Sequence, residues 1–207
     1  MSPAELAEAF PYLFHMAYRD SWDSIQKHGL LSTAWLTELF ELDSLQRAVL
    51  TERRRPESVP ISHPTHGVAV VRDNKPISDN ALEKCLDGMT LTEWYALLNS
   101  RVYFWPTQEH LDKFLCARAY RSAEHLVIRV PTLAIANACR DQLWVSQINS
   151  GSTMPHWAPK RRGRDTFVKL ADYPADQANK VYELAVDGVV PDICELSPEA
   201  FIAQCPG

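Results

Sequence analysis

The sequence predicts an α+β fold, with helices and strands segregated along the chain. Capped, helically periodic stretches crowd the first half, up to about residue 98, whereas extended β-branched and aromatic runs crowd the second half. No regular strand–helix–strand succession and no internal repeat runs through the chain. The 207 residues, 46% hydrophobic and 23% charged, suit one soluble globular unit with a real core. A single domain over 1–207 is therefore expected.

Tyr12–Ala17 reads as the first strand, with Tyr12, Phe14 and Met16 on one face and His15 on the other. Asp20 or Ser21 caps a short helix that Gly29 ends, and Leu30–Ser32 is a brief extended piece. Thr33 caps a long helix to about Arg53, in which Leu36, Leu39, Phe40, Leu45, Val49 and Leu50 recur at near-helical spacing. Pro56, Pro60 and Pro64 make 54–66 a loop, the place for an insertion. Gly67–Arg72 is a strand closed by the turn residues 73–76. Ser78 caps one helix to Asp87–Gly88, and Thr90 with Glu93 forms a capping box for a second through Leu98. Arg101–Trp105 is an aromatic-rich strand stopped by Pro106, and Thr107 starts a helix to about Tyr120. His125–Val130, Leu143–Ile148 and Thr166–Leu170 are further strands. Lys180–Val186 and Val189–Ile193 read as two strands joined by an Asp187-Gly188 hairpin turn, and Ser197-Pro198 opens a short C-terminal helix.

The net charge of −5 points to no global nucleic-acid or membrane binder, so such contacts would need a local basic patch. The five cysteines are odd in number, scattered and without a Cys-x-x-Cys pair, which fits a reducing compartment better than a disulfide framework. The opening residues are acidic, and no stretch has the length of a membrane span; a soluble cytoplasmic protein is the expectation. With seven glycines and no glycine-rich phosphate loop, nucleophile elbow or His-Glu-x-x-His motif, the common nucleotide-enzyme classes drop out. His63 and His66 lie close in sequence but lack neighbours to complete a metal site, so they read as surface histidines and no metal is expected.

Alternation puts Tyr182, Leu184 and Val186 on one strand face and Val181, Glu183 and Ala185 on the other. A carboxylate in so apolar a run is paired, protonated or used, unless the strand lies at an edge with Glu183 in water. His15 and Tyr103 are the other chemistry-bearing groups on strands. Each by itself suits ordinary packing as well as a site.

Taken together, these stretches resemble a known family. Phe14-His15-Met16 followed by Ser24-Ile25-Gln26-Lys27-His28-Gly29-Leu30-Leu31 is similar to the opening of the ADP-ribosyltransferase fold. Val102-Tyr103-Phe104 resembles its central aromatic strand. Tyr182-Glu183-Leu184-Ala185-Val186 followed by Val190-Pro191-Asp192 resembles its catalytic strand, especially in the DNA-targeting ADP-ribosyltransferase toxins. The resemblance implies a split β-sandwich core and NAD as substrate, with no metal. It implies Glu183 as the catalytic carboxylate, His15 on the adenosine ribose, and Tyr103, with Phe104 beside it, on the nicotinamide. Those toxins carry an Arg after the aromatic strand and its Pro; here Thr107 stands there.

The chemistry suits such a residue. Cleaving nicotinamide from ribose builds oxocarbenium-like charge, which a rigidly mounted carboxylate stabilises. Arginine-modifying members carry Glu or Gln two residues before the catalytic Glu; Val181 occupies that position, which argues against protein arginine as acceptor. The basic run Lys160, Arg161, Arg162 and Arg164, with Trp157 nearby, suits phosphates and a stacked base, so DNA or RNA is the expected acceptor. A toxin or phage-defence effector with a neutralising antitoxin follows. The alternatives are an NAD-dependent RNA 2′-phosphotransferase or a glycohydrolase of the same fold, or a binding module in which His15 and Glu183 are packed structural residues.

Overall fold

The computed structural model describes residues 1–206, which fold as a mixed α/β protein around two antiparallel sheets. Pro3 and a reciprocal Ser2–Glu5 capping box start α1 (Pro3–Ala9), which the sequence reading did not anticipate. β1 (Tyr12–Tyr18), α2 (Trp22–His28) and β2 (Leu30–Leu31) follow as expected.

The long helix expected over 33–53 is two helices, α3 (Thr33–Leu39) and α4 (Ser44–Thr51). Glu41 turns the chain at φ 52°, and the Asp43 carboxylate caps a new helix through the Gln46 amide. The break lets Leu36, Phe40 and Leu50 wrap around a hairpin, burying Ile61, Ala69 and Val71. That hairpin, β3 (Val59–His63) on β4 (Gly67–Val71), replaces much of the loop expected at 54–66. Pro60 is tolerated because β3 is an edge strand.

α5 (Asp79–Glu83), β5 (Leu86–Asp87) and α6 (Leu91–Asn99) come next, the last opened by the expected Thr90–Glu93 box. β6 (Arg101–Phe104), α7 (Gln108–Leu115), β7 (His125–Pro131), α8 (Thr132–Ala138) and β8 (Leu143–Ser146) then build the centre. Thr107 caps α7 by accepting from the His110 amide. The short β9 (Arg162–Gly163) and β10 (Val168–Lys169) lead to β11 (Glu183–Asp187), β12 (Val189–Val190) and β13 (Glu199–Ala203).

One sheet has the order β1-β7-β13 and the other β10-β8-β11-β6. Phe14 and Trp105 join them by exchanging backbone hydrogen bonds of 2.9 and 2.8 Å. The main core, including Leu13, Phe104, Ile128, Leu143 and Leu184, lies along both sheets.

Two expectations near the C-terminus are corrected. β11 and β12 do not pair as a hairpin: β11 lies between β6 and β8, while β12 pairs with β2. Gly188, at φ 73°, makes the change of direction, and a Cβ there would lie 2.7 Å from Trp35 Nε1. Residues 199–203 form a strand, not a helix, because β7 offers an open edge. Glu199 then faces Arg129, which donates to it at 2.6 Å.

Cys116 and Cys205 form a disulfide, correcting the expectation that scattered cysteines make none; Cys85, Cys139 and Cys194 are free. Among the described residues, no helix is long and apolar enough to cross a membrane. The bridge spans 89 residues of sequence and ties α7 to the chain just beyond β13. Cys205→Ser is expected to lower the unfolding free energy of the oxidised protein by about 2–4 kcal/mol, read as a lower urea midpoint.

Candidate active site

A cavity of about 270 Å³ opens where the two sheets meet, with His15 from β1, Tyr103 from β6 and Glu183 from β11 in its wall. Glu183 heads its strand, opposite Ser146 of β8, and is 2% exposed. The reading that left it at a wet edge is excluded. Its Oε1 accepts a hydrogen bond from the Ser150 amide at 3.1 Å. Burial lifts its pKa to about 7, against the opposing pull of Ser150, Arg162 and Arg101. The carboxyl group therefore exchanges its proton near neutrality.

Tyr103 and Ser150 also line the cavity, and their hydroxyls have no hydrogen-bond partner among the described residues. Burial, and then the Glu183 charge, hold the Tyr103 phenol protonated, so it is a hydrogen-bond donor. His15 Nδ1 lies 2.8 Å from the Tyr103 carbonyl oxygen, which can only accept, so that nitrogen carries the hydrogen. Burial lowers the His15 pKa to about 4, so the ring is neutral at pH 7 and Nε2 is an acceptor. An acceptor, a donor and a near-neutral carboxyl group together can hold hydroxyl-bearing ligand atoms and stabilise developing positive charge.

Arg101, opposite Asp187 in the β6–β11 register, donates to it at 2.8 Å. Its guanidinium lies 4.4 Å from the ring centres of both Trp144 and Phe167.

The remaining candidates divide. Phe104 is fully buried on the opposite strand face, in the main core, so its assignment to the cofactor is corrected: alternation turns it away from the cavity. Arg162, read as part of a nucleic-acid patch, is 2% exposed and structural. Its Nη1 donates to the Ser150 and Ser152 carbonyls at 3.1 and 3.0 Å, and its Nε to the Lys160 carbonyl at 3.0 Å. It thus clamps the segment that presents the Ser150 amide to Glu183. Lys160, Arg161, Arg164 and Trp157 are exposed, Trp157 at 85%. Arg161 pairs with Asp87, and Arg164 with Glu93 at 3.5 Å.

Sequence reasoning missed Ser150, Arg101 and the clamping role of Arg162. The only local signal for the last was an Arg-Gly step inside the basic run, where β9 turns one side chain inward to pair with β5.

A sequence profile of DUF7002, described as a family of unknown function, matches residues 11–197. No curated protein and no solved structure matches the chain.

Two outcomes follow from Glu183. Its folded-state pKa, about 7, lies above the ordinary 4.5. Its contribution to stability is therefore full below pH 4.5 and is lost as pH rises through 7. Glu183→Gln, which mimics the protonated form, should remove this dependence and be more stable than wild type at pH 8 by about 3 kcal/mol in urea unfolding. Arg162→Gln leaves three carbonyls without their donor and should cost about 3 kcal/mol. It should also raise the Glu183 pKa further, read by NMR titration of the carboxyl carbon, because an amide donor and a nearby positive charge are both weakened.

Proposed function

The chain belongs to the DUF7002 family of unknown function, and from its cavity we propose that it is an NAD-dependent ADP-ribosyltransferase acting on a nucleic-acid base. One observation carries this reading: His15, Tyr103 and Glu183, far apart in sequence and borne by three strands, line the same cavity. The two antiparallel sheets, joined through Phe14 and Trp105, suit the split β-sandwich that the sequence resemblance implies.

In the proposed reaction, the bond between the ribose C1′ and the nicotinamide nitrogen breaks and its electron pair leaves with nicotinamide. The sugar gains oxocarbenium character, and a base nitrogen or oxygen then bonds to C1′ and passes its proton to the Glu183 carboxylate. Ionised Glu183 stabilises the sugar cation and accepts from a ribose hydroxyl, while the neutral His15 accepts from a second hydroxyl on the adenosine side. Tyr103 supplies a stacking face and an unused phenol hydrogen. No glycine loop and no metal are needed.

The acceptor side rests on the segment that begins at Ser150. Its outer part exposes Trp157 and Lys160, with Arg161 and Arg164 beyond. An aromatic face among exposed cations suits a single strand, bound by stacking and by phosphate contacts. Arg162 is no part of that surface. An enzyme that modifies bases is harmful to its own cell, which fits a toxin or phage-defence effector restrained by an antitoxin.

The test is nicotinamide release from NAD by wild type and Glu183→Gln, with and without single-stranded DNA or RNA. The expected result is release that rises with nucleic acid, falls at least about 10³-fold in the variant, and has an ascending pH limb near 7. Release that nucleic acid leaves unchanged moves the acceptor to protein or water. No release from folded wild type that NAD fails to stabilise ends the enzyme reading and leaves a binding module.

A further inference from the structure

Another part of the cavity wall carries charge that the reading above does not use. Arg55, Arg72, Asp73 and Asn74 line it, on and beside the end of β4. Both guanidinium groups are anchored by backbone carbonyls. Arg55 Nε donates to the Arg72 carbonyl at 3.0 Å and its Nη1 to that of Leu50; Arg72 Nη1 donates to the Met16 carbonyl at 2.8 Å. The Arg72 guanidinium also lies 4.7 Å from the Tyr120 ring centre and 5.6 Å from that of Phe114. Its Nη2 is buried and has no acceptor among the described residues.

The neighbouring carboxylate does not balance these charges. Asp73 accepts from the Tyr120 hydroxyl at 2.8 Å and the Ser58 hydroxyl at 3.0 Å, and faces Lys75 at 3.7 Å. Two cations are thus withdrawn from water beside a single carboxylate that a third cation already neutralises. Burial disfavours the charged form and outweighs the pull of Asp73, pushing Arg55 down to about 10 and Arg72 below its usual value. Aromatic stacking and carbonyl contacts explain how Arg72 is held, but not the leftover Nη2 or the positive excess in a chain of net charge −5.

We infer that Arg72, backed by Arg55, is an anion-binding subsite of this cavity and takes a phosphate group of the ligand. Two adjacent guanidinium charges suit a pyrophosphate, whose two ionised phosphates together carry more charge than a lone carboxylate and whose oxygens match the planar fork. The inference rests on the NAD reading in naming the phosphate: it is the pyrophosphate of the dinucleotide. The subsite then lies on the same wall as His15, whose strand neighbour Met16 supplies the carbonyl that anchors Arg72.

Calorimetric titration of the full chain tests this with three probes: NAD, phosphate-free nicotinamide riboside, and inorganic pyrophosphate. Wild type should bind pyrophosphate, more weakly as salt rises. Arg72→Gln should weaken pyrophosphate and NAD by at least about tenfold each and leave nicotinamide riboside unchanged, with Arg72→Lys intermediate. A folded Arg72→Gln that binds pyrophosphate as wild type does, or a wild type that does not bind it, overturns the subsite. If Arg72→Gln does not fold, Arg72→Lys decides: it keeps the charge but not the fork, and an unchanged pyrophosphate affinity overturns the subsite. Pyrophosphate binding through Arg72 without NAD binding keeps the subsite and removes the NAD reading. NAD binding indifferent to Arg72 does the reverse.

Discussion

Keeping the Glu183 carboxyl group dry is the constraint from which the cavity follows. A solvated glutamate at a strand end needs nothing from its neighbours; a buried one needs a rigid mount and at least one donor. The mount is β11: Glu183 pairs with Ser146 of β8, and from Leu184 onward the strand is held on both sides by β6 and β8. The donor is the Ser150 amide, and its position depends on Arg162. A buried arginine acting on a loop therefore governs a carboxyl group on a strand. The arrangement lowers stability above pH 4.5 relative to a glutamine, the kind of local loss that is retained where a carboxyl group is used.

Three arginines do comparable work around the cavity, and lysine would serve in none of these places. Arg101 stacks between Trp144 and Phe167 while reaching Asp187; Arg162 lies 5.9 Å from the Trp94 ring centre while donating to three carbonyls; Arg72 stacks on Tyr120 while reaching Met16. Each needs a planar cation with several donors in fixed directions, so that one face packs on an aromatic ring while the edges make hydrogen bonds. An acidic chain has in this way gathered cations around one concave site, where low-dielectric walls focus their field.

Elements specified by short-range signals were legible in the sequence. β1, β6 and β7 show clean alternation or dense aromatics, and the Thr90–Glu93 box marks α6 directly. His15, Tyr103 and Glu183 were legible as chemistry-bearing groups on strands, although their shared cavity is a tertiary fact. Features set by long-range partners were not. Residues 199–203 become a strand because β7 has an open edge, and the helix at 33–53 breaks because a hairpin needs wrapping. The basic run misled for a related reason. Consecutive like charges look like a solvated face, yet the β5–β9 pairing turns Arg162 inward and leaves its neighbours outside.

That division within the basic run puts a buried anchor and exposed side chains on one segment. The segment from Ser150 to Arg164 touches Glu183 at its start, is anchored by Arg162, and exposes Trp157 and Lys160 between them. The exposed residues and the amide that supports the carboxylate thus share one stretch of backbone. Because that amide is among the groups favouring the ionised form of Glu183, a small displacement changes its charge near neutral pH, where its proton is held most evenly.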